Sequence, residues 1–187
     1  ILVSTEAEFL SGLEEIQTDL VVCKPGRGTN GTGVRVCKKS DALLDAEMKE
    51  YLGNGALLQE FIDTEKGVPP IAASYHDLRL VTINEKIVLS HVRIPEHGSL
   101  IANSHRGATI REVSVKDLPK EILSFYEKVH RKVRECFPRP MYSMDIGVGP
   151  NGPQLFELDG HTAFPWPHFA SSYFFIGILV PHLEGFL

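Results

Sequence analysis

"VVCKPGRGTNGTGVRVCK" occupies residues 21–38, and the residues after its glycines decide the fold class. Gly26, Gly28 and Gly31 satisfy a G-x-G-x-x-G spacing. In a dinucleotide-binding α/β fold such a loop opens directly into a helix whose N-terminus faces the pyrophosphate. Here Val34 and Val36 alternate with polar residues as in a strand, so that reading fails on context. No Gly-Lys-Ser/Thr comes after it, which removes the Walker loop as well. What remains is a strand–glycine loop–strand flap with Lys24 at its base. Gly26, Gly28, Gly31 and Gly33 let the backbone approach an anion and offer unhindered N–H donors. Lys24 adds a point charge suited to phosphate oxygens. A flexible hairpin turn is the alternative, although a turn requires fewer glycines than this.

Outward from the flap, the chain mixes helices with antiparallel hairpins. Thr5 and Glu8 form a capping box before Phe9, Leu13 and Ile16, which share a helical face. Asp41 is placed to cap a helix carrying Leu44, Met48, Tyr51 and Leu52, closed by Gly53 and Gly55. "DLRLVTI" (77–83) and "IVLSHVRI" (87–94) read as strands joined at Asn84–Lys86. The longest helix starts around Asp117 and Pro119, keeps Ile122, Tyr126, Val129, Val133 and Phe137 in helical register, and stops at Pro138 and Pro140. "MYSMDIGV" and "QLFELDG" flank Gly149–Pro153 as a second hairpin, and a last helix is expected after Pro167. Without regular strand–helix alternation, the expected class is α+β.

The second hairpin carries the acids. Glu157 and Asp159 lie two apart and face the same side of their strand. A turn centred on Asn151 sets Asp145 opposite Glu157, so all three carboxylates share a face. Like charges so opposed destabilise a sheet and call for a cation. Hard oxygen ligands beside a phosphate suit Mg²⁺; a solvated acidic face is the other reading. Arg79, Arg93 and Arg106 supply the complementary charge, although any surface arginine taken alone reads as structural. "NSHRGA" (103–108) presents Asn103, His105 and Arg106 beside a glycine. His161 and His168, beyond the acidic hairpin, are candidate substrate contacts.

Composition narrows the class. The chain of 187 residues carries a formal net charge of −5 with 43% hydrophobic residues, so non-specific nucleic-acid binding is not expected. "YFFIGILV" (173–180) is too short to span a bilayer. Cys23, Cys37 and Cys136 are odd in number and lack metal spacing; Cys23 and Cys37, inside apolar runs, read as buried free thiols in a reducing, cytoplasmic setting. The chain begins at Ile1 without a signal-like segment and is read as part of a longer protein.

"LLQEFID" (57–63) turns from apolar to polar, as a strand would on leaving a core with bonding groups to offer. Taken in order, "VVCKPGRGTNGTGV", "LLQEFI", "DLRLVTINEKIV", "NSHRGA" and "MYSMDIGV…LFELDG" resemble the ATP-grasp superfamily, of the ribosomal-protein glutamate ligase and glutathione synthetase type. The similarity runs from about residue 19 to about 164. It implies two α+β lobes whose antiparallel sheets grip ATP, with residues 1–58 as the small lobe, 59–187 as the large lobe, and the N-terminal domain that usually precedes them absent.

By the same resemblance, Glu60 and Phe61 offer backbone C=O and N–H to adenine, Ile62 lines its pocket and Gln59 points to its amino group. Asp77 shapes the ribose pocket. Lys24 binds phosphates beneath Gly26, Gly28, Gly31 and Gly33. Asp145, Glu157 and Asp159 carry one or two Mg²⁺ or Mn²⁺ ions. Arg106, with Lys24, faces the transferred phosphoryl group, while Arg79, Arg93, Asn103 and His161 line the substrate. The implied reaction joins a small-molecule or peptide carboxylate to an amine or thiol through an acylphosphate, in a protein that dimerises in many relatives. A kinase-like phosphoryl transfer and a catalytically silent nucleotide-binding domain are the alternatives. Three departures stand out: Asp159 where Asn is usual, Ile101 where a relative would offer arginine, and "GHTAFPWPHF" in place of Pro-Gly.

Overall fold

The computed structural model describes residues 1–27, 32–42, 51–103, 106–160 and 168–184. Two antiparallel sheets organise them. The first orders its strands β1-β4-β2-β3, with β1 Leu2–Val3, β2 Leu20–Pro25, β3 Arg35–Lys38 and β4 Ala56–Glu60. The second runs β7-β6-β5-β8-β9, with β5 Asp77–Ile83, β6 Lys86–Ile94, β7 Thr109–Glu112, β8 Met141–Gly149 and β9 Gly152–Asp159. The described helices include α1 (Glu6–Glu15), α2 (Lys120–Cys136) and α3 (Ser172–Glu184), with a 3₁₀ turn at Val115–Asp117.

Period-2 alternation splits the first sheet into two faces. Val21, Cys23, Ala56 and Leu58 turn inward and pack with Phe9, Leu13 and Ile16. The Thr5–Glu8 capping box is present in full and fixes the start of α1. Val22, Lys24, Leu57 and Gln59, half-buried, occupy the opposite face. Cys23 is buried and in no disulfide, as expected; Cys37 is only half-buried, because β3 is an edge strand, and Cys136 is exposed. Of the helix expected after Asp41, Leu44 and Met48 lie outside the described residues. Its closing turn is present: the Gly55 N–H bonds Leu52 O at 3.1 Å, and Gly55 has φ +81°.

The second sheet is covered on both sides, but unequally. Leu78, Leu80, Val92, Tyr142, Met144 and Ile146 form one face, closed by Ile122 and Tyr126 of α2. On the other face Val81, Ile83 and Leu89 meet Phe175 and Leu179 of α3. Glu112 of β7 holds the start of that helix, accepting from the N–H groups of Ala170 at 2.7 Å and Ser171 at 2.9 Å. Neither β1 nor β7 is among the sequence-based expectations. The turn of the first hairpin is tighter than expected, with Lys86 already in β6 and Asn84 at φ +54°.

β8 and β9 pair with one irregularity. Asp145 opposes Glu157 while Ile146 opposes Leu155, leaving Phe156 as the extra residue of a bulge. Gly147 makes room for it: a Cβ there would sit 2.1 Å from Phe156 Cζ and 2.8 Å from Thr64 Cγ2. Gly149 serves the same segment, its Cβ position lying 3.1 Å from Ile62 Cγ2. The stretch leaving β4 therefore lies against two glycines of β8. Gly147→Ala should lower stability by about 1–3 kcal/mol, the usual range for forced overpacking. Gly160→Ala, which meets nothing within 4 Å, is the matched control and should stay within ~0.5 kcal/mol; urea unfolding of both variants measures the difference.

Candidate functional site

The α3-facing side of the second sheet is apolar over one part and charged over the rest. Register places Asp77 beside Arg93, Arg79 beside His91 and Asp145, and Asp145 beside Glu157, all on this side; Asp159 lies further along, opposite Ser143. The three hairpin carboxylates thus share a face. Their surroundings differ: Asp145 is buried, Asp159 half-buried and Glu157 exposed.

Asp145 is compensated within the protein. Arg79 grips it as a fork, Nε to Oδ1 at 2.6 Å and Nη2 to Oδ2 at 2.7 Å. Arg93 Nη2 donates to the same Oδ2 at 2.6 Å and also to Asp77 Oδ2. Burial pushes the Asp145 carboxyl up, but Arg93 and Arg79 outweigh it and hold the group below its ordinary value. Asp77 has the opposite balance: burial and the neighbouring Asp145 charge push it up to about 7 against the pull of the arginines. The Asp77 side chain, expected near a ribose, is therefore engaged with Arg93.

As donors for a hard cation the hairpin acids fit in kind, being oxygen ligands on one face. The Glu157 side chain is exposed at this face. In place they are not gathered: among the described residues no three His, Cys, Asp or Glu side chains are arranged to hold a metal ion.

Lys24 links the sheets. It projects from the α1-free face of the first sheet, and its Nζ reaches Phe156 O at 3.5 Å. The bulge at Phe156 leaves that carbonyl outside the regular ladder, one residue from Glu157. Gly26 and Gly33 pin the flap's base. The Gly26 N–H bonds Gly55 O at 2.7 Å and a Cβ would lie 2.6 Å from that oxygen, while Gly33 sits at φ +77° with its Cβ position 2.7 Å from Tyr51 Oη. Gly28 and Gly31 lie outside the described residues, as does His161.

Gln59 and Glu60 end β4, and Phe61 and Ile62 continue from it, half-buried except for the exposed Glu60. Glu60 Oε1 accepts from the Gln17 N–H at 3.0 Å, and the Phe61 N–H is donated to Thr18 Oγ1 at 3.3 Å. Thr18 went unnoticed in the sequence because it is a lone hydroxyl before a strand. Asn103 closes the loop before β7, its carbonyl accepting from the N–H groups of Arg106 at 3.0 Å and Ala108 at 3.2 Å. Arg106 is exposed there, and Thr109 then pairs with Ile94, next to Arg93. His168 is exposed, its ring edge-on to Phe169 at 5.0 Å.

Four buried histidines were also missed, His76, His91, His130 and His182, and the first two bear on this sheet. His76 Nδ1 lies 2.9 Å from Ser74 O, and its Nε2 accepts the Val148 N–H at 3.2 Å, which fixes a neutral tautomer with the proton on Nδ1. Burial lowers its pKa. His91, 7% exposed and beside Phe169, is pushed down to about 4 by burial and by Arg93 and Arg79.

Two antiparallel sheets, with Lys24 of the first reaching the bulged strand of the second, make up the described fold. The chain belongs to the RimK-like ATP-grasp domain family, whose model matches residues 2–125. It is 30% identical over 121 residues to the probable alpha-L-glutamate ligase of Pasteurella multocida strain Pm70, covering 64% of this chain and 36% of that one. To the probable alpha-L-glutamate ligase of Aeromonas salmonicida strain A449 it is 24% identical over 167 residues, 88% of this chain and 50% of that one. A Chryseobacterium gregarium RiPP-associated ATP-grasp ligase, solved with ADP and a leader and core peptide, shares the fold at TM-score 0.66 and 13% identity over 99% of this chain and 54% of that one. The chain thus spans half or less of the length of these two curated relatives.

His76 and His91 give a pH prediction. Their folded pKa values lie below the ordinary 6.5, so at mildly acid pH the unfolded chain binds more protons than the folded one. Stability is full above that value and falls with the pH towards the folded values. Between about pH 7 and about pH 5, His91 alone should remove roughly 2 kcal/mol. Urea midpoints at the two pH values should converge in His76→Gln/His91→Gln relative to the parent.

Proposed function

We propose that this chain is the nucleotide-gripping part of an ATP- and Mg²⁺-dependent ligase that joins a carboxylate to an amine or thiol through an acylphosphate. The observation that carries the reading is Lys24 reaching from the first sheet to Phe156 O beside Glu157, which sets a phosphate-type lysine next to the acidic hairpin. Membership of the RimK-like ATP-grasp family supports it.

In this reading the adenine lies against Gln59–Ile62, and the Phe61 N–H exchanges Thr18 Oγ1 for the base. Lys24 neutralises phosphate oxygens, and Gly28, Gly31 and Gly33 are assigned N–H groups that donate to them, while the Gly26 N–H, held by Gly55 O, anchors the flap. Arg106, exposed at the loop before β7, presents positive charge where a phosphoryl group would develop negative charge, and Arg79 and Arg93, held by Asp145, are assigned to the substrate. Mg²⁺ at Asp145, Glu157 and Asp159 would supply Lewis-acid neutralisation of the phosphates. The rest of the chemistry is positioning, which needs little acid–base work from the protein. Asn103 and His161 are assigned to the acid or amine.

The relatives named as glutamate ligases and the one solved with a peptide favour an amino acid or peptide as substrate. Among the described residues no helix is long and apolar enough to cross a membrane. Three cysteines outside any disulfide support a reducing, cytoplasmic location.

Calorimetry with Mg-ATP tests the site. Micromolar binding, weakened about tenfold or ~1.4 kcal/mol by Lys24→Ala and by Glu157→Ala, is the expected result. ADP release that requires both an added acid and an added amine would then establish ligation. Release with an acid or alcohol alone would make the protein a kinase, and absence of nucleotide binding in the folded chain would sink the reading.

A further inference from the structure

We propose that Asp77 is a positioning residue that takes Arg93 over from Asp145 when a cation claims Asp145, an inference that rests on the metal-binding reading of the hairpin acids. Arg93 is shared in an unusual way. One nitrogen, Nη2, serves both Asp77 Oδ2 and Asp145 Oδ2, the latter at 2.6 Å. Meanwhile Arg93 Nε and Asp77 Oδ1 are both buried without a hydrogen-bond partner. A buried donor and a buried acceptor left open on two side chains already in contact are costly where they stand.

Those two open atoms are what a two-toothed arginine–carboxylate fork requires. If Arg93 lets go of Asp145 and turns onto Asp77, Nε meets Oδ1 while Nη2 keeps Oδ2. The number of hydrogen bonds is unchanged, and both unpartnered atoms gain partners. Asp145 keeps the Arg79 fork and gains an open lone pair on Oδ2. A cation can then bind Asp145 without leaving a buried arginine uncompensated, which is the usual penalty for breaking such a pair. Arg79 cannot make this exchange, because its Nε and Nη2 are both committed to Asp145. Asp77 and Arg93 are also direct cross-strand partners, so the turn needs no backbone shift.

The experiment follows the Arg93 Nε–H resonance in the ¹⁵N-labelled full chain, assigned by its loss in Arg93→Lys, and measures Mn²⁺ affinity in the presence of ATP by the electron spin resonance of free Mn²⁺. Addition of Mg²⁺ and a non-hydrolysable ATP analogue should shift the Nε–H signal and slow its solvent exchange by about tenfold or more, as a new hydrogen bond would. Asp77→Asn, which cannot accept a charged fork, should abolish that change and weaken Mn²⁺ binding about tenfold.

Should Asp77→Asn not fold, Arg93→Lys decides, since a single ammonium cannot form the fork and should weaken Mn²⁺ to a similar degree. Wild-type Mn²⁺ affinity in whichever of these variants folds, or an unmoved Nε–H signal in a wild type that binds Mn²⁺ and ATP, overturns the inference and leaves the ligase reading standing. A wild type that binds ATP but no Mn²⁺ removes the metal reading and this inference together.

Discussion

Asp145 is a carboxylate in the middle of a sheet, and the protein around it is arranged to keep it charged. Taking an ion out of water is expensive unless it is paired and hydrogen-bonded. Arg79 and Arg93 meet that requirement from β5 and β6 with three short contacts to the two carboxylate oxygens. The strand order β6-β5-β8 answers the same need, because only that order sets Arg79 directly against Asp145 with Arg93 one strand further out. Asp77 completes the set as the second acid for the second arginine.

This charged block dictates how the rest of the face is built. α3 covers Val81, Ile83 and Leu89, and the helix start is tied down by Glu112 on the neighbouring strand. A buried apolar cover over one part and an uncovered charged part beside it produce a floor with a defined edge. The first sheet brings Lys24 to that floor on the strength of a different constraint, the close approach of Gly26 to Gly55 that fixes the direction of β2 as it enters the flap.

Legibility in the sequence tracked the range of the interactions. The shared face of Asp145, Glu157 and Asp159 could be read because a short turn and a period of two fix hairpin register locally. The α1 capping box spans three residues and was equally readable. The arginine fork was not, since Arg79 and Asp145 are 66 residues apart and meet only through sheet order. β7 was missed because "TIRE" carries one apolar residue in four, and β1 because it is two residues long. His76 was invisible for a related reason: its partner is the backbone N–H of Val148, which any residue type would offer.

The arginines also bear on the departure at Asp159. Where a family relative would carry a neutral amide, an acid here adds a negative charge to a strand that already holds Glu157. In isolation that addition would strain the hairpin through like-charge repulsion. The buried member of the group, Asp145, is however already neutralised by guanidinium groups, so it adds little to the field felt by the other two. Glu157 is exposed and Asp159 only half-buried, and water screens charges in such positions well. With Lys24 close to the strand, the four acids Asp77, Asp145, Glu157 and Asp159 face the three cations Arg79, Arg93 and Lys24. The inner acid is thus committed to arginine, while Glu157 and Asp159 stand nearer to solvent.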